Sequence, residues 1–241
     1  SAKKLSKDRY AKLAEAENNT AYFMVAGLLI YCLGIIGCST TLYSVNMNYD
    51  AGRANIPGYL KADSKGSNVL FAISEFTDSR KGDEPMVIGR VVEKDGMKTL
   101  ILPKYTKPTK AIASGIRAYL NKAGYKGYVN TEQWDLKEET IPKVEGKLLI
   151  GGNIEALDLT CRKGFPTDSY KAKIKLGLVL ADAANGKILY RGSVETDSSL
   201  EHVSFSEERL EEQINIAMAD AIEKVFEDKN LAQKIKEALN E

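Results

Sequence analysis

The chain has 241 residues, and its 34 Lys and Arg nearly balance its 33 Asp and Glu, which leaves a formal net charge of +1. A balanced charge offers no basic field that would attract nucleic acid, so we expect no nucleic-acid partner. The single histidine excludes a multi-histidine metal site, and three cysteines without metal-ligand spacing do not suggest a disulfide framework. About 200 residues follow the N-terminal segment, enough for one domain with its own core.

The N-terminal part has the order of an export signal. Residues 21–38, AYFMVAGLLIYCLGIIGC, carry no charged side chain, and the segment before them has five Lys and Arg against three acids. A basic segment, an apolar stretch and small residues before a polar chain are typical of a secretory signal. However, about 18 apolar residues also reach the lower length limit of a transmembrane helix. The apolar stretch alone is therefore compatible with a cleaved signal and with a membrane anchor.

The end of this stretch resembles a bacterial lipobox. Ile35 and Ile36 are followed by the small Gly37 and then by Cys38, and polar residues begin at Ser39. The resemblance implies cleavage after Gly37 and modification of the Cys38 thiol with acyl chains such as palmitate. Ser39 is not the aspartate that retains many lipoproteins in the inner membrane, which implies the periplasmic face of the outer membrane. Several acyl chains hold a protein stably on a membrane.

An uncleaved anchor is the alternative. The charged segment before the apolar stretch is about 20 residues long and partly acidic, which is unusual for a lipoprotein signal. In that case the chain crosses the inner membrane once and carries a periplasmic domain, and Cys38 is incidental.

The sequence predicts three parts, which are a leader over 1–37, a lipidated N-terminus and tether over 38–67, and a domain over 68–241. The tether is rich in Asn, Gly, Ser and Lys and has no sustained periodicity, as expected of a linker. Every second residue from Tyr43 to Tyr49 is apolar or aromatic, so a short edge strand is the alternative for this stretch.

Short strands and one helix are predicted in the first half of the domain. Residues 69–76, VLFAISEF, have the composition of a buried strand. Two further strands flank Asp95-Gly96, a dipeptide typical of tight hairpin turns, so they should pair antiparallel. A helix follows, and Gly124 is placed to end it. Its apolar face consists of Ile112, Ile116, Tyr119, Leu120 and Ala123.

Longer strands are predicted in the second half. Residues 147–161 form one, and apolar residues alternate with polar ones over 170–180 and again over 187–197. Asn185-Gly186 joins the last two and is a strong hairpin signal.

Two helices are predicted at the C-terminal end. Ser204 and Glu207 fit a capping box at the start of the first one. Its apolar stripe is Leu210, Ile214, Ala217, Met218, Ala221, Ile222 and Val225, and the last helix has Leu231, Ile235 and Leu239 on one face. The chain therefore predicts an α+β domain, with a mainly antiparallel sheet, helices on one face, and a hairpin followed by a helix occurring twice.

This order of elements resembles the YajG-type family of bacterial lipoproteins over roughly residues 68–240. The landmarks are a first strand leading to Asp78-Ser79-Arg80, the turns at Asp95-Gly96 and Asn185-Gly186, and a helix ending near Gly124-Tyr125. The resemblance implies an outer-membrane lipoprotein without an assigned catalytic site. Similar small lipoproteins are accessory parts of lipopolysaccharide-transport, lipid-transport and surface-appendage machines. The resemblance makes Asp78 and Arg80 candidate contact residues, although a turn that starts at Asp78 and contains a local ion pair also explains them.

We find no residue pattern for catalysis, metal binding or a cofactor. His202 lies between a strand and a helix and has no expected catalytic partner. Gly151-Gly152 lacks the spacing of phosphate-binding loops and indicates a bulge or close backbone packing. Four acids around Trp134 are explained by a solvated loop, although hydrolysis by two carboxylates depends on geometry. These acids are Glu132, Asp135, Glu138 and Glu139.

Lys171, Lys173 and Lys175 point to one side of their strand and form the candidate binding face. The sequence therefore predicts a non-enzymatic, lipid-anchored envelope protein that binds another envelope protein or a glycolipid. The alternatives are a single-pass inner-membrane protein of a transport or secretion complex, and an envelope hydrolase whose acidic site is assembled by the fold.

Overall fold

Alternating and continuous apolar runs build a nine-stranded sheet in the computed structural model, which describes residues 42–63, 66–82 and 84–240. The strands are β1 (Tyr43–Val45), β2 (Leu70–Glu75), β3 (Thr77–Asp78), β4 (Gly89–Val92), β5 (Lys98–Pro103), β6 (Lys126–Gln133), β7 (Leu148–Arg162), β8 (Asp168–Asp182) and β9 (Lys187–His202). The α-helices of the described residues are α1 (Pro108–Lys122), α2 (Glu207–Glu227) and α3 (Lys229–Asn240).

Strand β7 is the centre of the sheet. One edge of β7 pairs along its whole length with β8, which pairs with β9, and both ladders are antiparallel. The other edge pairs in turn with β2, β3 and β4, all parallel. Outside these, β6 pairs parallel with β2, β5 pairs antiparallel with β4, and β1 pairs parallel with β5. The longest ladders are antiparallel, so the predicted α+β class with a mainly antiparallel sheet is confirmed.

The main core lies between one face of the sheet and the helices. Helix α1 packs on β2 and β6, helix α2 packs on β8 and β9, and α3 packs beside α2. The apolar faces predicted for α1 and α2 are buried in full. Both predicted hairpins are present, with Gly96 and Gly186 at positive φ, and each is followed by a helix on the same face.

The end of α1 agrees with the prediction, and the start of α2 does not. Helix α1 ends in a Schellman motif, because Gly124 has a φ of +99° and the Tyr125 amide donates to the Leu120 carbonyl at 3.1 Å. The capping box at Ser204 is wrong. The cap of α2 is Ser206, whose hydroxyl accepts from the Arg209 amide at 3.3 Å, because Ser204 lies in the extended connection that leads away from β9.

Residues 42–63 belong to the domain and not to a tether. Val45, Met47, Tyr49 and Leu60 are each at most 8% exposed. Strand β1 pairs with β5, and the stretch that follows it is held by side chains of α2. The alternative prediction of a short edge strand after Leu42 is the better description, because the alternating side chains of Val45, Met47 and Tyr49 are buried in the core. The boundary predicted at residue 68 is therefore too late in the chain.

A second, smaller core lies on the opposite face of the sheet. Trp134 is 2% exposed there and packs with Leu149 and Val179, and its indole nitrogen donates to the Lys137 carbonyl at 2.9 Å. The segment after β6 thus covers the sheet. Glu132, predicted in a loop, lies in β6 instead.

Gly151 and Gly152 permit close packing, as predicted. A Cβ on Gly152 would lie 2.3 Å from the Phe76 ring and 2.4 Å from the Gly177 carbonyl oxygen, and one on Gly151 would lie 2.6 Å from Trp134. The pair therefore belongs to the core and not to a phosphate-binding loop.

Candidate functional site

Arg80 is the centre of a clamp beside strand β7. Its Nε and Nη2 donate to the two carboxylate oxygens of Asp78 at 2.9 and 2.7 Å. Its remaining N–H groups donate to the backbone carbonyls of Val87, Leu157 and Pro85 at 2.9, 3.4 and 2.6 Å. A guanidinium has five N–H groups, so this network uses all of them.

The same network affects Asp78. Burial raises the pKa of its carboxyl group, but the hydrogen bonds and the charge of Arg80 outweigh burial and lower that pKa below its ordinary value. Next to Asp78, the Ser79 hydroxyl donates to the Ile154 carbonyl at 3.0 Å. It also accepts from the side-chain Nδ2 of Asn153 at 2.8 Å. The Asp-Ser-Arg sequence therefore ties β3 and the chain after it to β7.

A groove lies beside this clamp and has a volume of about 1050 Å³. One wall is the chain from Asp78 to Arg90, and the other is the solvent side of β7 with Lys175 of β8. The structure thus brings Lys175 together with Asp78 and Arg80, while Lys171 and Lys173 lie farther along β8 and outside the groove. We call this feature the clamp groove.

Sequence reasoning missed the acids of the clamp groove. Glu155 and Asp158 face it from β7. The signal was present in the sequence, because both are charged residues inside an apolar strand and therefore have to point to solvent. Their position beside Asp78, however, follows from the pairing of β3 with β7 and from a bulge in β7 near Glu155.

The lysine stripe is solvated but is not a free basic face. Lys175 pairs with Glu155 at 2.9 Å, and Lys173 pairs with Glu195 of β9. These hydrogen bonds raise the pKa of each ammonium group above its ordinary value. Lys171 lies opposite Thr160 and Ser199 in the strand register. Acids on the two neighbouring strands therefore balance Lys173 and Lys175, whereas Lys171 lies between two hydroxyl residues.

The other groups considered for chemistry have structural contacts. The Nδ1 atom of His202 lies 3.1 Å from the Ser204 carbonyl oxygen, and its Nε2 lies 3.3 Å from Arg209. Glu138 accepts from the Ile188 amide at 2.8 Å, and Asp135 caps the turn before it. Cys161 is fully buried, and burial, together with the charge of Asp168, raises the pKa of its thiol to about 11.

A second groove of about 710 Å³ lies at the start of α2. Its lining combines Lys104 with four acids, which are Glu207, Glu208, Glu211 and Glu212. Acids in the first turns of a helix interact favourably with the helix dipole, which explains most of this cluster structurally.

Gly37, Cys38 and Ser39 lie outside the residues that the structure describes. None of the helices within 42–63, 66–82 and 84–240 is both long and apolar enough to cross a membrane. In that same part of the chain, no three His, Cys, Asp or Glu side chains are grouped so that they could hold a metal ion.

Comparison with known proteins gives relatives in structure but not in sequence. No protein-family model matches the chain, and no functionally curated protein matches it. Protein XCC0632 from Xanthomonas campestris, of family DUF330, has a TM-score of 0.49 and 9% identity over 82% of this chain and 98% of its own.

Two further solved structures are similar. A putative neuraminyllactose-binding hemagglutinin homolog from Helicobacter pylori has a TM-score of 0.39 and 10% identity over 78% of this chain and 97% of its own. Lipoprotein GNA1162 from Neisseria meningitidis has a TM-score of 0.34 and 11% identity over 61% of this chain and 94% of its own. Bacterial lipoproteins are thus among the structural neighbours, but at these scores the likeness carries no function to this chain.

Proposed function

We propose that this protein is a lipid-anchored, non-enzymatic accessory protein of the bacterial cell envelope. It is attached through Cys38 to the periplasmic face of the outer membrane, and its domain binds another envelope component. The position of Cys38 carries the proposal. This cysteine follows Ile35, Ile36 and Gly37 at the end of an uncharged apolar run and precedes the polar Ser39, an order that resembles a lipobox. Its chemistry is therefore attachment.

The paired charges of the domain support binding more than catalysis. In the clamp groove, the N–H groups of Arg80 are all engaged by protein oxygens, and Lys175 is held by Glu155. A general acid or base needs a pKa close to the working pH and an open path to a substrate. Asp78 instead has a lowered pKa and a bidentate arginine partner.

We further propose that the partner is an envelope protein and that it contacts the clamp groove. Charges of both signs are paired in this groove, since Lys175 pairs with Glu155 and Arg80 pairs with Asp78. A phosphate-rich glycolipid is attracted by uncompensated cations, whereas a protein surface can provide matching charges of both signs.

The anchor is tested by mass spectrometry of the mature full-length protein, extracted from the membranes of a Gram-negative host. We expect a chain that begins at Cys38 and carries acyl groups, and we expect Cys38→Ser to keep residues 1–37 and to carry none. Ser39→Asp should move the protein to the inner membrane, while Ser39→Asn serves as the matched control. An intact, unacylated N-terminus on the wild-type membrane protein would establish the single-pass anchor instead.

The partner is tested in the same cells with a photo-crosslinking residue. At position 175, in the clamp groove, we expect an adduct of one defined mass. At position 187, the exposed first residue of β9 at the far end of the sheet, we expect none. Adducts of mixed mass from both positions would show that the groove has no specific partner.

A further inference from the structure

Large hydrophobic side chains are exposed in several loops, among them Met86 and Tyr105, and three of these residues need to be considered together. Phe165 is 93% exposed between β7 and β8, Val203 is 76% exposed after β9, and Met97 is 65% exposed between β4 and β5. An isolated exposed apolar residue needs no explanation, but a contiguous group of them marks an interaction surface. Whether these three form a group depends on where the sheet places their loops.

The strand register places the three loops at one end of the sheet. Val92 at the end of β4 pairs with Arg162 at the end of β7, and Asp168 at the start of β8 pairs with His202 at the end of β9. Lys163 connects two of the loops directly. Its amide donates to the Val92 carbonyl at 2.9 Å, and its ammonium group pairs with Glu93 at 2.8 Å.

Strand β1 lies near this end. It runs parallel to β5, and Tyr43 pairs with Ile101, four residues after Met97. The Tyr43 ring packs 5.0 Å from the Phe205 ring, and its hydroxyl lies 3.5 Å from the Lys163 ammonium group. Leu42, just before β1, is 50% exposed. Leu42, Met97, Phe165 and Val203 together are called the apolar tip below.

The distance between the apolar tip and Cys38 is limited by the chain. Cys38 precedes Leu42 by four residues, and a fully extended chain spans at most about 3.6 Å per residue, or roughly 14 Å here. A membrane attachment at Cys38 therefore keeps the apolar tip next to the lipid surface.

We propose that the apolar tip inserts into the lipid bilayer beside the anchor and orients the domain upright on the membrane. This inference rests on the proposed attachment at Cys38. The occupant is lipid because the proposed attachment at Cys38, four residues before Leu42, holds these exposed apolar side chains near the bilayer surface. Exposed charges near the tip are mixed, with Lys94, Lys98 and Arg162 against Asp95 and Glu201, so apolar contact and not charge provides the attraction.

The opposite end of the sheet has a different surface. The turn between β8 and β9 exposes only small or polar residues, Ala184, Asn185, Gly186 and Lys187. Strand β8 has 15 residues, so this turn lies roughly 45 Å from the apolar tip along the strand. Glu155 and Asp158 precede the end of β7 by four to seven residues, which places the clamp groove roughly 14 to 24 Å above the lipid, open to a periplasmic partner.

Tryptophan quenching in full-length protein tests the orientation. Phe165→Trp places an indole at the apolar tip, and Ala184→Trp is the matched control at the far turn. The native Trp134 is buried in the domain and provides a common background. Each protein is reconstituted into phosphatidylethanolamine–phosphatidylcholine vesicles, with or without brominated acyl chains. We expect emission at position 165 to shift to the blue and to be quenched by bromine, with no such change at position 184, and we expect high salt to have no effect.

The outcomes separate this inference from the proposed anchor. Protein that floats with the vesicles while position 165 stays unquenched overturns the tip insertion and leaves the anchor standing. Protein that does not float overturns both. A blue shift without quenching shows that a second copy or another protein covers the tip, and equal quenching at 165 and 184 shows that the domain lies flat. Both results overturn the upright orientation.

Discussion

Arg80 shows how a residue singled out by a sequence motif acquires a structural role. Its side chain is 13% exposed and bridges Asp78 to three backbone carbonyls. These carbonyls belong to β7 and to the chain between β3 and β4. Without the arginine, oxygens at this half-buried position would lose charge-assisted hydrogen bonds. Arg80 therefore shapes the wall of the clamp groove and has no N–H group left for a ligand.

Arg80→Lys should lower the free energy of unfolding by about 2 kcal/mol, because an ammonium group cannot reproduce the bidentate contact and the three carbonyl contacts. Urea denaturation followed by circular dichroism measures the change. Arg90→Lys is the matched control, since Arg90 pairs with Glu84 where both side chains are more than 40% exposed, and its cost should stay below about 0.5 kcal/mol. Equal losses in the two variants would contradict the clamp.

The difference in the free energy of unfolding between wild type and Arg80→Lys should decrease at acidic pH. The pKa of Asp78 is lowered in the folded protein, so the ion pair contributes its full stability above the ordinary carboxyl pKa of about 3.9 and loses it as the pH falls through the lowered value. The gap between wild type and Arg80→Lys should thus be constant from neutral pH down to about pH 4 and narrow below it. A gap that already closes near pH 6 would contradict this assignment.

At the scale of elements, the start of α2 is decided by one hydroxyl group. Ser206→Ala should lower the free energy of unfolding by about 1 kcal/mol, because the Arg209 amide loses its acceptor. Ser204→Ala, two residues earlier in the exposed connection, is the matched control and should be nearly neutral. Thermal and urea denaturation measure both variants. The reverse order of effects would restore the capping box predicted at Ser204.

Elements with local signals could be predicted from the sequence. The turns at Asp95-Gly96 and Asn185-Gly186, and the helix end at Gly124, depend on residues that favour positive φ, so neighbours a few positions apart determine them. Strand β6 was missed because KGYVNTEQ has little apolar character. It is a strand because its backbone pairs with β2 at the edge of the sheet.

The candidate site also has residues that local sequence patterns predict and an arrangement that they do not predict. Asp78 and Arg80 were found from a short motif, and the contact between them is local. Lys175 was found from strand alternation. These residues share one groove because three successive strands, β2, β3 and β4, pair along a single edge of β7. No local sequence pattern encodes that pairing.

At the scale of the whole molecule, the stretch after Leu42 is fixed to the core by helix α2. The Asn46 amide donates to Glu211 at 2.8 Å, and the Asn48 amide donates to Asn215 at 2.9 Å. Both acceptors are side chains of α2, the helix that covers β8 and β9. The stretch after Leu42 is therefore held on the domain, and under the proposed attachment at Cys38 it would connect that attachment to helix α2.

Two truncated chains test this coupling. The fragment 68–241 lacks the buried side chains of Val45, Met47, Tyr49 and Leu60. Full burial of one large apolar side chain contributes about 1.5 to 3 kcal/mol, so their loss is on the order of 6 to 12 kcal/mol, comparable with the whole stability of a domain. We expect 42–241 to unfold in one cooperative urea transition and 68–241 to show none. A cooperative transition of 68–241 with the same midpoint would mean that residues 42–63 contribute nothing to the stability of the fold.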